Sequence, residues 1–219
     1  MQDGNSLIPR ILVIRFSSLG DVVLAAPVFQ AVKHRLPDAH ITLLTKMEYT
    51  DIHRSNPLVD EVIGFDPVTR SLSSLFQMVR RGEFNEIIDL HGSVRSRLIT
   101  LAGRTRSRRY RQERLRRFLM VLRPPFKRIR PITPVIDRYL ATAGLKDPLV
   151  EQGIPVIHLT EEELERGKKL RRDVMADSEG QLIVLLPAAR HAPKEWPLFR
   201  FAELAGLLSL GGDIPVVAA

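Results

Sequence analysis

The 219 residues contain 33 Lys and Arg against 25 Asp and Glu, a formal charge of +8 with a pI near 10.3, and no cysteine. Disulfides and thiolate metal sites are thereby excluded, while 44% hydrophobic and 26% charged residues imply a globular chain rather than a disordered or fibrous one. No stretch approaches the roughly 18–20 apolar residues of a membrane span, and the opening residues lack an export pattern, so a cytoplasmic location is expected.

Residues 11–16, Ile-Leu-Val-Ile-Arg-Phe, form a short branched run that predicts a buried strand of a parallel sheet. Ser17, Ser18, Leu19 and Gly20 make a loop ahead of Asp21, whose carboxylate suits the cap of a helix reaching about residue 35. Pro27 falls inside that helix, removes a backbone donor, and predicts a kink or a restart. Pro37-Asp38 predicts a turn, and residues 40–45, 59–65 and 86–90 predict three more strands separated by helices. Such alternation implies βαβ units, hence an α/β fold with a parallel sheet covered by helices on both faces.

Past Gly103 the chain turns Arg-rich, with a helix expected over 113–122 until Pro124-Pro125 ends it. Thr133 is expected to cap another helix, with Pro134 at its first position. Residues 146–155 lack periodicity and predict a linker, dividing the chain into residues 1–150 and 151–219. In the second part Thr160 and Glu163 form a capping box for a charged helix ending near residue 175. A strand at 181–186, a helix at 198–210 and a strand at 214–218 follow. Two strands bury too little for a domain of this kind, so only its opening part is expected in these residues.

Ligands of open α/β sheets bind beyond the carboxyl ends of the strands, and two loops fall there. In the first, from Arg15 to Asp21, the small residues allow close approach to the backbone, and Asp21 is either a helix cap or a carboxylate presented to the crevice. In the second, from Leu186 to Pro197, Lys194 stands before a helix N-terminus, where a mobile ammonium and fixed amide donors both favour phosphate; the alternative is an exposed surface lysine. Trp196, the single tryptophan, fits packing better than base stacking. Six scattered histidines offer no metal spacing.

The stretch RFSSLGDVVLAAPVFQAVKHRLPDAHITLLT resembles the opening of the lipopolysaccharide heptosyltransferase family, glycosyltransferase family nine. IIDLHGSVRSRLIT, RRYRQERLRR, VIDRYLATAGL and PAARHAPKEWPLFRFAELA extend the resemblance over nearly the whole chain. The resemblance implies a GT-B architecture: an acceptor-side Rossmann-like domain facing a nucleotide-sugar domain, the second present here only at its beginning. It also implies inverting transfer of heptose from ADP-heptose to the inner core of lipopolysaccharide, without cofactor or metal. Asp21 matches the catalytic base and Lys194 the lysine that contacts donor phosphate; Arg190 is expected beside Lys194, and Ser17, Ser18, Gly20, Arg95, Arg97, Arg114 and Arg117 are expected on the acceptor side. Pro187-Ala188 replaces the usual Pro-Gly, and Ala189, Arg190, Ala192 and Pro193 stand where hydroxyl residues are common.

Between residues 95 and 130 there are fourteen Lys or Arg and one acid, Glu113, a local +13 that leaves −5 on the rest of the chain. Such a run is either a solvated face or a surface for an anionic glycolipid at the inner leaflet, the expectation preferred here. A monomer is expected. Two other readings stand beside the enzyme: an inactive fragment that at most binds acceptor, and a nucleic-acid-binding protein. The latter is the weaker, because only Tyr110 and Phe118 interleave the arginines.

Overall fold

The computed structural model describes residues 8–66, 71–110, 133–144, 154–175, 182–189, 194–210 and 216–218. The chain divides into two compact units, Met1–His158 and Leu159–Ala219.

In the first unit β1 (Arg10–Ile14) is central because its residues are apolar on both sides: Ile11 and Val13 enter one core, Leu12 and Ile14 the other. It pairs in parallel with β2 (His40–Lys46) and with β4 (Glu86–Asp89). β3 (Glu61–Phe65) and β5 (Arg106–Arg109) flank these, giving the order β3-β2-β1-β4-β5. Chain progression therefore runs outward from β1 to β3, then restarts on the other side at β4. That reversal opens a crevice beyond the carboxyl ends of β1 and β4, the place where such sheets bind ligands.

One face is covered by α2 (Ala26–Arg35), through Val28, Phe29 and Val32, and by α6 (Val135–Ala143), through Tyr139 and Ala143. The other is covered by α4 (Leu72–Arg81) and α5 (Val94–Ala102), through Leu75, Val79 and Ile99. Each fully buried Ile or Leu contributes about 2 kcal/mol relative to exposure.

The expected restart at Pro27 is observed. A short α1 (Leu19–Val23) ends, and α2 begins with Pro27 in its first turn, where the missing donor costs nothing. His53, in α3 (Asp51–Arg54), is fully buried and its Nε2 lies 2.8 Å from the Val22 carbonyl at the end of α1.

Two expectations need correction, and one strand was missed. Asp21 is not the cap of α1: Ser18 takes the extended cap conformation, and Asp21 is the third helical residue, its carboxylate accepting from the Ser18 N–H. Pro134 is itself the cap residue of α6, in extended backbone, so the helix starts one residue later than Thr133 would set it. The strand β5 was not expected, because Arg-Ser-Arg-Arg has no apolar periodicity. It is an edge strand, and its arginines reach back over β4: Arg108 pairs with Glu86, and Arg109 Nε lies 3.7 Å from Asp89. Charged edge strands of this type escape a search for hydrophobic alternation. The helix expected over 113–122 lies outside the described residues, as do Arg190 and the arginines at 111–130.

In the second unit Thr160 and Glu163 form the expected capping box of α7 (Glu161–Met175). β6 (Ile183–Leu185) pairs in parallel with β7 (Val216–Ala218), and α8 (Leu198–Leu210) lies between them in sequence. Among the residues of this unit whose burial is described, only Met175 is buried.

Candidate active site

The crevice beyond β1 and β4 is built around Arg15. Directly after a run of apolar strand residues, this side chain is 7% exposed and needs partners for its charge. Its Nη1 donates to the Leu90 carbonyl at 2.7 Å, at the end of β4, and its Nη2 meets Asp21 Oδ2 at 2.5 Å. The guanidinium also lies over the Tyr139 ring, 5.5 Å from its centroid.

Asp21 is thereby held asymmetrically. Oδ2 takes Arg15, the Ser18 N–H at 3.2 Å and the Ser18 hydroxyl at 3.0 Å. Oδ1 has one long contact, from the Tyr139 hydroxyl at 3.4 Å. With its side chain 32% exposed, Asp21 is reachable from the crevice. Burial alone would raise its pKa, but the Arg15 charge and the bonds from Ser18 and Arg15 outweigh this and hold the carboxyl below the ordinary aspartate value. Burial pushes the Tyr139 hydroxyl well above its ordinary pKa, so it remains a neutral donor.

The opposite wall is the loop after β4. Asp89, fully buried, accepts the His91 and Gly92 N–H groups at 3.0 and 2.9 Å and the Ser96 hydroxyl at 2.9 Å, tying the loop to the first turn of α5. Gly92 turns through φ 64°, a conformation that favours glycine. His91 packs edge-on against Phe16, 5.1 Å between ring centres. Burial, reinforced by the Arg15 charge, lowers its pKa to about 4 despite the opposing pull of Asp21 and a bond with the Ser17 backbone.

Ser17 and Ser18, with Gly20 and Asp21 in the first turn of α1, thus lie together at the crevice. A Cβ placed on Gly20 would meet no atom within 4 Å, so the fold leaves that approach open. Arg95 joins them from α5, its guanidinium 5.5 Å from the Phe65 ring centre. Phe65, with Lys46 and Asp66, also lines a cavity of about 440 Å³ at the carboxyl ends of β2 and β3. Arg97 does not join the group: two residues along a helix rotate it by about 160° to the other flank of α5, where it is exposed.

In the second unit Lys194 is exposed, four residues ahead of α8. A cavity of about 420 Å³ beside it is lined by Pro187, Ala188, Glu195 and Trp196, without Lys194. Trp196 packs edge-on against Phe201 at 4.8 Å while 47% exposed. Arg114, Arg117 and Arg190 lie outside the described residues.

The sequence pattern gave no role to Arg15, His91 or Tyr139. A charged residue closing an apolar strand was the available signal for Arg15. The other two fall within the family-like stretches IIDLHGSVRSRLIT and VIDRYLATAGL, but their place at the crevice depends on how distant segments pack.

Residues 72–217 match glycosyltransferase family 9 (heptosyltransferase). The chain belongs to this family. Lipopolysaccharide heptosyltransferase 1 of Campylobacter coli is 28% identical over 95 residues, covering 42% of this chain and 28% of that protein. Among solved structures, the family 9 glycosyl transferase from Veillonella parvula DSM 2008 superposes with a TM-score of 0.75 at 23% identity, over 96% of this chain and 62% of its own. E. coli ADP-heptose lps heptosyltransferase II gives 0.67 at 24% identity, covering 95% and 63%. An E. coli heptosyltransferase with ADP gives 0.63 at 16%, covering 95% and 66%. This family 9 chain thus shares their fold and spans less than two thirds of their length.

Proposed function

We propose that the first unit is the acceptor half of an inverting heptosyltransferase in which Asp21 is the general base. The observation that carries this is the unequal engagement of its two oxygens. Oδ2 is locked by three donors, which fixes the carboxylate, while Oδ1 keeps lone-pair capacity for an incoming hydroxyl. The acceptor hydroxyl attacks the anomeric carbon as its proton passes to Oδ1, and the bond to the diphosphate breaks with its electron pair leaving on phosphate. Charge that grows there needs positive donors, a role proposed for Lys194, Arg190 and the amide groups opening α8. The step as written uses no metal and no cofactor.

Family membership supports ADP-heptose as donor and the anionic inner core of lipopolysaccharide as acceptor; the proposed setting is the cytoplasmic side of the membrane, with the chain as a monomer. Ser17, Ser18, Gly20 and Arg95 would contact the acceptor, with Arg97, Arg114 and Arg117 further out. Nucleic acid is disfavoured, because Arg108 and Arg109 are engaged with Glu86 and Asp89 rather than free for phosphate.

The test is heptosyl transfer from ADP-heptose to heptose-free lipopolysaccharide. Asp21→Asn should lower the rate by at least a hundredfold, and Asp21→Glu should recover part of it. Retention of activity within tenfold by Asp21→Asn removes the base assignment. A second reading, an acceptor-binding module without transfer, is favoured by the exposure of the described residues of the second unit, among which only Met175 is buried. It predicts no ADP binding in calorimetry at millimolar concentration, together with retained acceptor binding.

A further inference from the structure

α5 is inverted relative to an ordinary surface helix. Its inward face presents Ser96, Ile99 and Thr100 to the sheet, all buried. Its outward face carries Val94, Leu98 and Leu101, exposed to 73%, 44% and 69%. At about 100° per residue these three fall within about 60° of one another and form a continuous apolar stripe. Arg95 flanks the stripe on one side and Arg97 on the other, and exposed Arg104 and Arg106 follow its end. From residue 90 to residue 110 there are six arginines and no acid.

We propose that this face of α5 docks the protein on an anionic phospholipid bilayer, the stripe entering the interface while the flanking arginines meet headgroup phosphates. An apolar row flanked by arginines in a stretch, residues 90–110, that holds no acid matches a surface that is negative outside and apolar beneath. A second copy of the chain would bring the same arginines against themselves, and a nucleic acid would leave the leucines in water. The helix N-terminus lies at the crevice, so a bilayer along this face would hold a membrane-anchored acceptor near Asp21. The inference deepens the reading of a glycolipid acceptor, and its test uses vesicles without glycolipid, so that the two can fail separately.

The full chain is floated with vesicles of phosphatidylcholine alone or with about 30% phosphatidylglycerol. Binding is expected only to the anionic vesicles, falling severalfold at about 0.5 M salt as screening shortens the reach of the arginines. Leu98→Ser with Leu101→Ser should reduce partitioning at least tenfold while circular dichroism stays unchanged, since both side chains lie outside the core. Because the chain has no cysteine, Leu98→Cys accepts a single environment-sensitive fluorophore, which should shift to the blue on anionic vesicles. Equal binding to both vesicle types, no binding to either, or unchanged binding by the double serine variant overturns the proposal. So does a concentration-dependent dimer that the same variant abolishes.

Discussion

Replacing Arg15 by Met tests whether the crevice is organised as described. Met keeps an apolar stem beside Tyr139 but removes the charge and both donors. Loss of the bond to the Leu90 carbonyl, buried at 2.7 Å, costs about 1.5–3 kcal/mol as a charge-assisted hydrogen bond. The ion pair with Asp21 adds less than a buried pair would, because Asp21 is about one-third exposed and water takes over part of the interaction, so about 1 kcal/mol is assigned to it. The retained stem offsets a little of this. The expected destabilisation is about 2–3 kcal/mol, read as a shift in the urea midpoint at constant slope. Carboxyl NMR should show the Asp21 titration moving upward, because the largest influence holding it down is gone. A double cycle with Asp21→Asn should return a coupling of about 1 kcal/mol. A destabilisation below about 0.5 kcal/mol, or an Asp21 titration that does not move, would falsify the central place given to Arg15.

Two further outcomes follow from the same electrostatics. Glu86→Gln takes the negative charge from between Arg35, at 2.9 Å, and Arg108, and should cost about 1–3 kcal/mol in urea unfolding; an unchanged midpoint would mean that the edge strand is not held by this network. His91 titrates near 4 in the fold and near 6.5 when unfolded, so between these values the unfolded chain binds the extra proton. Stability should therefore rise with pH from about 4 to about 6.5 and level off above, and His91→Gln should flatten that rise; a wild-type curve already flat across this window contradicts the assignment.

Much of the first unit was legible in the sequence because its determinants are local. Branched apolar runs at residues 11–16, 40–45 and 86–90 can be satisfied only as buried strands, and Pro27 forces a helix to restart wherever it sits. The same locality put Ser17, Ser18, Gly20 and Asp21 at one junction of loop and helix, since they are neighbours in the chain. Tertiary structure alone decided what surrounds that loop. Which strand lies beside β1 depends on the path of the crossovers, and the choice of β4 brings Leu90 and His91 to Arg15 across 75 residues. Packing of α6 then delivers Tyr139 to Asp21 from 118 residues away. The arginines of β5 make the same point, for a run that looked like free surface charge is partly spent on two buried acids. Charge is visible in a sequence, but its partner is fixed only when burial removes water as the alternative.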